Sequence, residues 1–354
     1  MAEIAFRSFN PAFKNLLIKK SSRTKTISNE LFDPKPAQQI VNNMNLWKLY
    51  PDGSKLDIID CNPGGGLFST MLNYELRPRA HILLEKRPYF VEVWRDYYLD
   101  TLKFKTGNKE NFILYPKDPH TWTTFTDLIE VDKIIQPVKK PYDQVHDELL
   151  VVANWGLPQF EAVVAQWIRC CGDRNWLQKY GKVRVICTAE SNTLLKFLSD
   201  PGFKKRNRTS LKRDLYTESK LLAILSHPAH MAGRTYDPRV LCRDQPVAAY
   251  DKAIHKNREL GIFEFMPSGL TSDAISDIEF LLSPLYHLVS TPLKYTLPKL
   301  APGAEYMEQY LPAELLHKSA REFTTEDILA FAHAYDKWPF KPEIEDIVSA
   351  SEML

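Results

Sequence analysis

Residues 58–72, IIDCNPGGGLFSTML, decide the fold. An apolar, β-rich run carries an acid near its end, a proline and three glycines make a tight turn, and a helical pattern starts at Leu67. Strand, glycine turn and helix in that order open the nucleotide-type pockets of doubly wound α/β sheets, because a turn without Cβ atoms lets a ligand approach the backbone. Asn62 stands where such a turn often has glycine. Asparagine tolerates left-handed backbone but leaves less room, so the turn is expected to form and to hold a ligand less well.

Outward from this turn, the runs LDIID, HILLE, FILY, ELLVVAN, KVRVICT and KLLAIL read as strands between residues 55 and 230. Helical spacing recurs between them over 67–75, 88–99, 160–170 and 190–199, and the alternation predicts a doubly wound α/β domain. GIFEFM adds a late strand, whereas residues 200–213 and 228–258 read as polar, turn-rich connections. From about residue 271 the chain reads as helical, in SDAISDIEFLLSPLYHLV, PAELLHKSA and TTEDILAFAHAYDKW, with Thr324 or Thr325 as an N-cap. The expected organisation is a basic arm or targeting segment over 1–29, an α/β domain over 30–268, a small helical domain over 269–338 and a flexible acidic tail over 339–354.

Ligands of such sheets sit at the carboxyl ends of the strands. Gly64, with Gly65 and Gly66, supplies the turn; Glu85, nineteen positions after Gly66, ends the second strand and is placed to accept from both ribose hydroxyls of an adenosine-type cofactor. Asp118 follows the third strand and is placed to accept from an adenine amino group; Asn154 ends the fourth. These residues alone do not separate NAD from S-adenosylmethionine. Each also has a bland reading, Glu85 before Lys86 and Arg87 being a solvated face and Asp118 before Pro119 a helix start.

The 354 residues carry a net charge of +2, so attraction to nucleic acid must come from local clusters. The strongest is KKRNRTSLKRD, where Lys204, Lys205, Arg206, Arg208, Lys212 and Arg213 put six cations within ten residues. It reads either as a solvated loop or as a phosphate-binding one. Five cysteines without a CxxC pair suit a reducing interior without structural zinc, and no apolar run approaches the ~20 residues of a membrane span. The first 29 residues carry six cations against Glu3, the composition of a mitochondrial targeting segment or of a basic arm.

The segments LLEKR, KDPHTW, VVAN, NWLQKYGKV, LLKFLSDPG, STPL and KWPFKP, in that order across roughly residues 30–342, resemble the ribosomal RNA adenine dimethyltransferase family, and within it the fungal branch of mitochondrial initiation factors. The resemblance implies a Rossmann-like S-adenosylmethionine-dependent methyltransferase fold with a small C-terminal helical domain. It places Leu31 of ELFDP, Glu85, Asp118 and Asn154 on cofactor-contact positions and turns the basic loop toward nucleic acid. It also implies a monomer of the mitochondrial matrix whose partners are the single-subunit mitochondrial RNA polymerase and promoter DNA, both the non-template strand and the template near the start site. The acidic tail would reach toward the polymerase active site. The other branch, a ribosomal RNA adenine N6-dimethyltransferase, is the alternative.

One departure bears on the chemistry. The family methylates adenine with a contiguous Asn-Leu-Pro-aromatic motif, in which the ring stacks on a flipped base. Here the stretch is NWGLPQF, residues 154–160, and Trp155 and Gly156 separate Asn154 from Leu157 and Pro158. A misplacement of 1 Å can cost ~100-fold in rate, so no catalytic residue is assigned, no cofactor is expected to be required, and the pocket reads as vestigial. Trp155, Tyr98 and Trp122 are candidates for stacking on melted DNA.

Overall fold

The computed structural model describes residues 28–105, 111–226, 246–249, 259–272 and 278–342. Eight strands, β1 (Asp57–Cys61), β2 (Ala80–Leu84), β3 (Phe112–Tyr115), β4 (Val145–Trp155), β5 (Lys182–Glu190), β6 (Thr217–Leu225), β7 (Val247–Ala249) and β8 (Leu260–Pro267), form one sheet in the order β3-β2-β1-β4-β5-β8-β6-β7. The strands β3 to β5 run parallel, and β8 lies antiparallel between β5 and β6. The order reverses between β1 and β4, which is where such sheets bind ligands.

Parallel strands covered on both faces are largely apolar, and β1 is buried at every position, its Asp57 paired with Arg79 and its Asp60 with His81. Successive side chains then serve opposite cores. Ile58, Leu83, Leu150 and Ile186 face α1 (Pro34–Asn43), α2 (Leu67–Leu76) and α3 (Pro88–Val93). Ile59, Ile82, Val151 and Val185 face α4 (Trp122–Thr126), α5 (Glu161–Asp173), α6 (Ser191–Phe197) and α7 (Arg208–Tyr216). The C-terminal helices α8 (Ile278–His287) and α9 (Thr325–Asp336) extend this second core through Leu281, Phe331 and Trp338.

All seven strand runs read from the sequence form strands, and the helical readings at 67, 88, 160 and 190 begin helices within a residue of those positions. Thr324 is the N-cap of α9, its hydroxyl accepting from Asp327 N–H at 3.2 Å. Two readings are corrected. Residues 208–216, within and just beyond the stretch read as turns, form α7, because Asn207 and Ser210 cap each other's backbone and Leu211 and Leu215 recur at helical spacing on the core. PAELLHKSA, read as a helix, makes only the 3-10 turns Leu315–His317 and Ala320–Glu322. Its backbone is drawn off elsewhere: Lys318 C=O accepts from Leu293 N–H at 2.9 Å, and Ser319 bridges to Pro292. Residues 1–27 of the basic arm expected over 1–29 and residues 343–354 of the acidic tail expected over 339–354 lie outside the described residues, as does most of 228–258. Among the described residues no helix is long and apolar enough to cross a membrane.

Candidate cofactor pocket and nucleic-acid face

The chain leaves β1 through a turn that is left-handed at Asn62 (φ 58°), Gly64 (φ 56°) and Gly66 (φ 76°), so asparagine does adopt the geometry a glycine would. The two glycines are needed for neighbours of this same chain. A Cβ on Gly64 would stand 2.7 Å from a Glu30 carboxylate oxygen, and one on Gly66 would stand 2.4 Å from the Trp94 ring. Trp94 lies at the π turn Trp94–Tyr98 that continues α3, and its indole N–H donates to Gly64 C=O at 3.0 Å.

Glu30, which sequence reasoning missed, enters the turn from the segment before α1. The Gly65 N–H donates to its Oε2 at 2.8 Å, while Oε1 is buried with no hydrogen-bond partner. Burial pushes its carboxyl up to about 7; the Arg87 guanidinium, the nearby Ser28 hydroxyl and the Gly65 N–H pull the other way without cancelling it. A carboxyl held above its ordinary value of about 4.5 favours folding while protonated, and that contribution is lost as pH rises through 7. Between pH 4.5 and 8 the wild type is therefore expected to lose on the order of 3 kcal/mol relative to Glu30→Gln, at ~1.4 kcal/mol per pH unit. Denaturant melts of both proteins across that range check it; parallel curves would place the carboxylate in water.

Each polar group assigned to the cofactor has a partner inside the chain. Glu85 ends β2 fully buried, and Arg87 grips it: its backbone N–H at 2.9 Å and Nε at 2.7 Å donate to Oε1, and a terminal guanidinium nitrogen donates to Oε2. Asp118 pairs with Lys86 and accepts from His120 N–H at 3.1 Å. Asn154 accepts from Gly156 N–H at 3.0 Å through Oδ1. Leu31 is buried beside them. The adjacent cations Lys86 and Arg87, for which a solvated face was the alternative reading, therefore serve the two carboxylates. That dipeptide was the available signal; Glu30 had none, since its partner Gly65 lies 35 residues away.

The space left among Glu30, Leu31, Asp60, Asn62, Asn154 and Thr188 is about 30 Å³. One or two waters fit there, whereas ligand pockets start near ~300 Å³. That space, which Glu85 and Asp118 do not line, is too small for S-adenosylmethionine, and the two carboxylates expected at the adenosine end are already paired with Arg87 and Lys86. Nor does NWGLPQF assemble a base clamp. Trp155 is buried against Trp167 at 5.4 Å, and Phe160 turns onto Trp155 at 4.9 Å.

The basic stretch divides. Arg206 and Arg213 are buried, 2% and 3% exposed, and donate to main-chain carbonyls, Arg206 to Ser199 and Phe323 and Arg213 to Phe197 and Ser199. Their assignment to nucleic acid is corrected: a guanidinium inside a core must spend its donors there. Lys204 and Arg208 are exposed, Lys205 donates to the Asn192 side chain at 2.9 Å, and Lys212 is half-buried. Of the candidate aromatics, Trp155 and Tyr98 belong to the core, and Trp122 is 42% exposed. It stands beside a cleft of about 340 Å³ walled also by Phe125 and Trp176.

Comparison with known proteins agrees with this architecture. The structure of a dimethyladenosine transferase from Plasmodium falciparum superposes with a TM-score of 0.54 over 87% of this chain and 97% of that one, at 11% identity. Mitochondrial transcription factor 1 of Saccharomyces cerevisiae is 27% identical over 318 residues, 89% of each chain. Its counterpart from Lachancea kluyveri is 26% identical over 310 residues, 86% of this chain and 88% of its own. A family model for ribosomal RNA adenine dimethylase matches residues 19–257, well over half of the chain. Because that match runs through the glycine turn and the ends of β1 to β5, the chain belongs to the ribosomal RNA adenine dimethylase family.

Proposed function

We propose that the protein is a mitochondrial transcription initiation factor, which joins the single-subunit mitochondrial RNA polymerase as a monomer in the matrix and helps it recognise and melt promoter DNA. The observation that carries this reading is the match to proteins named mitochondrial transcription factor 1 along nearly nine tenths of both chains. The site chemistry points the same way. A dimethyltransferase needs room for its cofactor; here the space beside Asn154 is about 30 Å³, and Glu85 and Asp118 are paired with Arg87 and Lys86. No cofactor is required on this reading.

Promoter DNA would meet the face that carries Lys204, Lys205 and Arg208, with Trp122 as a stacking platform for an unpaired base. Replacing Lys204 and Arg208 together by alanine is expected to lower the slope of log binding constant against log salt by about 2, at ~0.9 for each phosphate no longer neutralised. Promoter titrations of the factor–polymerase complex over a salt series measure it, and an unchanged slope places the DNA on another face.

The function itself is tested by run-off transcription with the cognate polymerase on a linear mitochondrial promoter. Transcripts that depend on the added factor are expected. Factor-independent transcription, together with methyl transfer to adjacent adenines of ribosomal RNA, would support the dimethyltransferase alternative instead.

A further inference from the structure

We propose that the cofactor pocket is filled permanently from within the chain, with Glu30 and Arg87 standing on the groups that would otherwise take a nucleoside-amino acid cofactor of the S-adenosylmethionine class. A cofactor's ribose offers the strand-end carboxylate two neutral hydroxyl donors. Arg87 offers Glu85 a guanidinium with bonds to both oxygens, and charge-assisted pairs of this kind are shorter and about twice as strong. At the turn, the N–H groups before α2 form an anion-favouring end, and the Glu30 carboxyl already accepts from Gly65 there. A cofactor α-carboxylate arriving at that point would meet a second carboxyl in a site with almost no water.

Displacement would be unfavourable twice over. Moving Arg87 away strips the buried Glu85 of its cation, and moving Glu30 away means withdrawing the Ser28–Leu31 segment, whose Asn29 amide donates to Gly156 C=O at 3.2 Å. The residual cavity is lined by Glu30 together with Asp60, Asn62, Asn154 and Thr188. Its size suits ordered water, which would complete the Glu30 hydrogen bonds and leave the plug closed. An initiation factor can retain a bound cofactor and a methyltransferase can lose one, so this proposal and the transcription reading fail separately.

Calorimetric titration of the full chain with S-adenosylmethionine and with S-adenosylhomocysteine tests it. The wild type is expected to give no saturable heat at millimolar ligand. Glu30→Ala/Arg87→Ala, checked for folding by circular dichroism, is expected to gain at least about tenfold in affinity over the wild-type limit. Saturable binding by the wild type would overturn the proposal, as would a folded double variant that binds no better. Should that variant not fold, Arg87→Met keeps the side-chain stem while freeing Glu85, and the same gain or its absence decides the matter.

Discussion

Arg206→Ala is expected to cost about 3 kcal/mol of stability, within the ~3–5 kcal/mol range for breaking a buried ion pair from one side. Arg206 has no exposed side-chain surface; it pairs with Asp214 at 2.6 Å and donates to Ser199 C=O at 2.6 Å and Phe323 C=O at 2.8 Å. Alanine leaves two buried carbonyls without that donor and leaves Asp214 to Arg213, at 3.0 Å. The remaining arginine keeps the cost at the lower end. The Phe323 hydrogen bond spans 117 residues and ties the turn before α7 to the residue before the Thr324 cap, so the C-terminal helices are expected to lose protection from hydrogen exchange first. Lys204→Ala, two positions away on an exposed residue, should fall within about 0.5 kcal/mol of wild type. Denaturant melts of the two variants measure the contrast. Equal, small effects would return Arg206 to the solvated loop that its spacing alone suggests.

This pair of residues also marks what a sequence can and cannot disclose. Strands were legible because runs such as ELLVVAN and KVRVICT are too short and too β-branched for buried helices, and the left-handed Asn62 was legible because few other residues accept that backbone. Arg206 and Lys204 are equivalent in composition. Both precede the Asn207 cap of α7, in a turn with no periodicity, and Arg206 turns inward because Ser199 C=O, Phe323 C=O and Asp214 receive its donors. The pocket residues divide in the same way. Glu85, Asp118 and Asn154 follow from strand ends, but their partners follow from side-chain choices that no periodicity records: Arg87 folding back two residues onto Glu85, Lys86 reaching Asp118, Glu30 arriving from before α1. A fingerprint therefore points to the strand ends without disclosing which side chains lie against them.

Gly66→Ala is expected to cost about 2–5 kcal/mol, the sum of ~1–2 for a left-handed alanine and ~1–3 for overpacking. Its Cβ would lie 2.4 Å from Trp94 Cζ2 and 2.9 Å from Cη2. The ring cannot give way. Trp94 is fully buried, its N–H is held by Gly64 C=O, and it packs edge-on against Tyr98 at 5.2 Å and tilted against Phe112 at 5.8 Å. Gly303 supplies the control, for it has the same backbone (φ 81°) with nothing within 4 Å of an added Cβ, so Gly303→Ala should lose only the conformational part. Thermal melts of the two variants separate conformation from collision. A second arm identifies the obstacle: in a Trp94→Leu background the Gly66→Ala penalty should shrink toward that of Gly303→Ala, and an undiminished penalty would mean something other than the indole confines the turn. If the penalty does shrink, a tryptophan of this chain alone is enough to require glycine at position 66, so that glycine is not by itself the mark of a ligand.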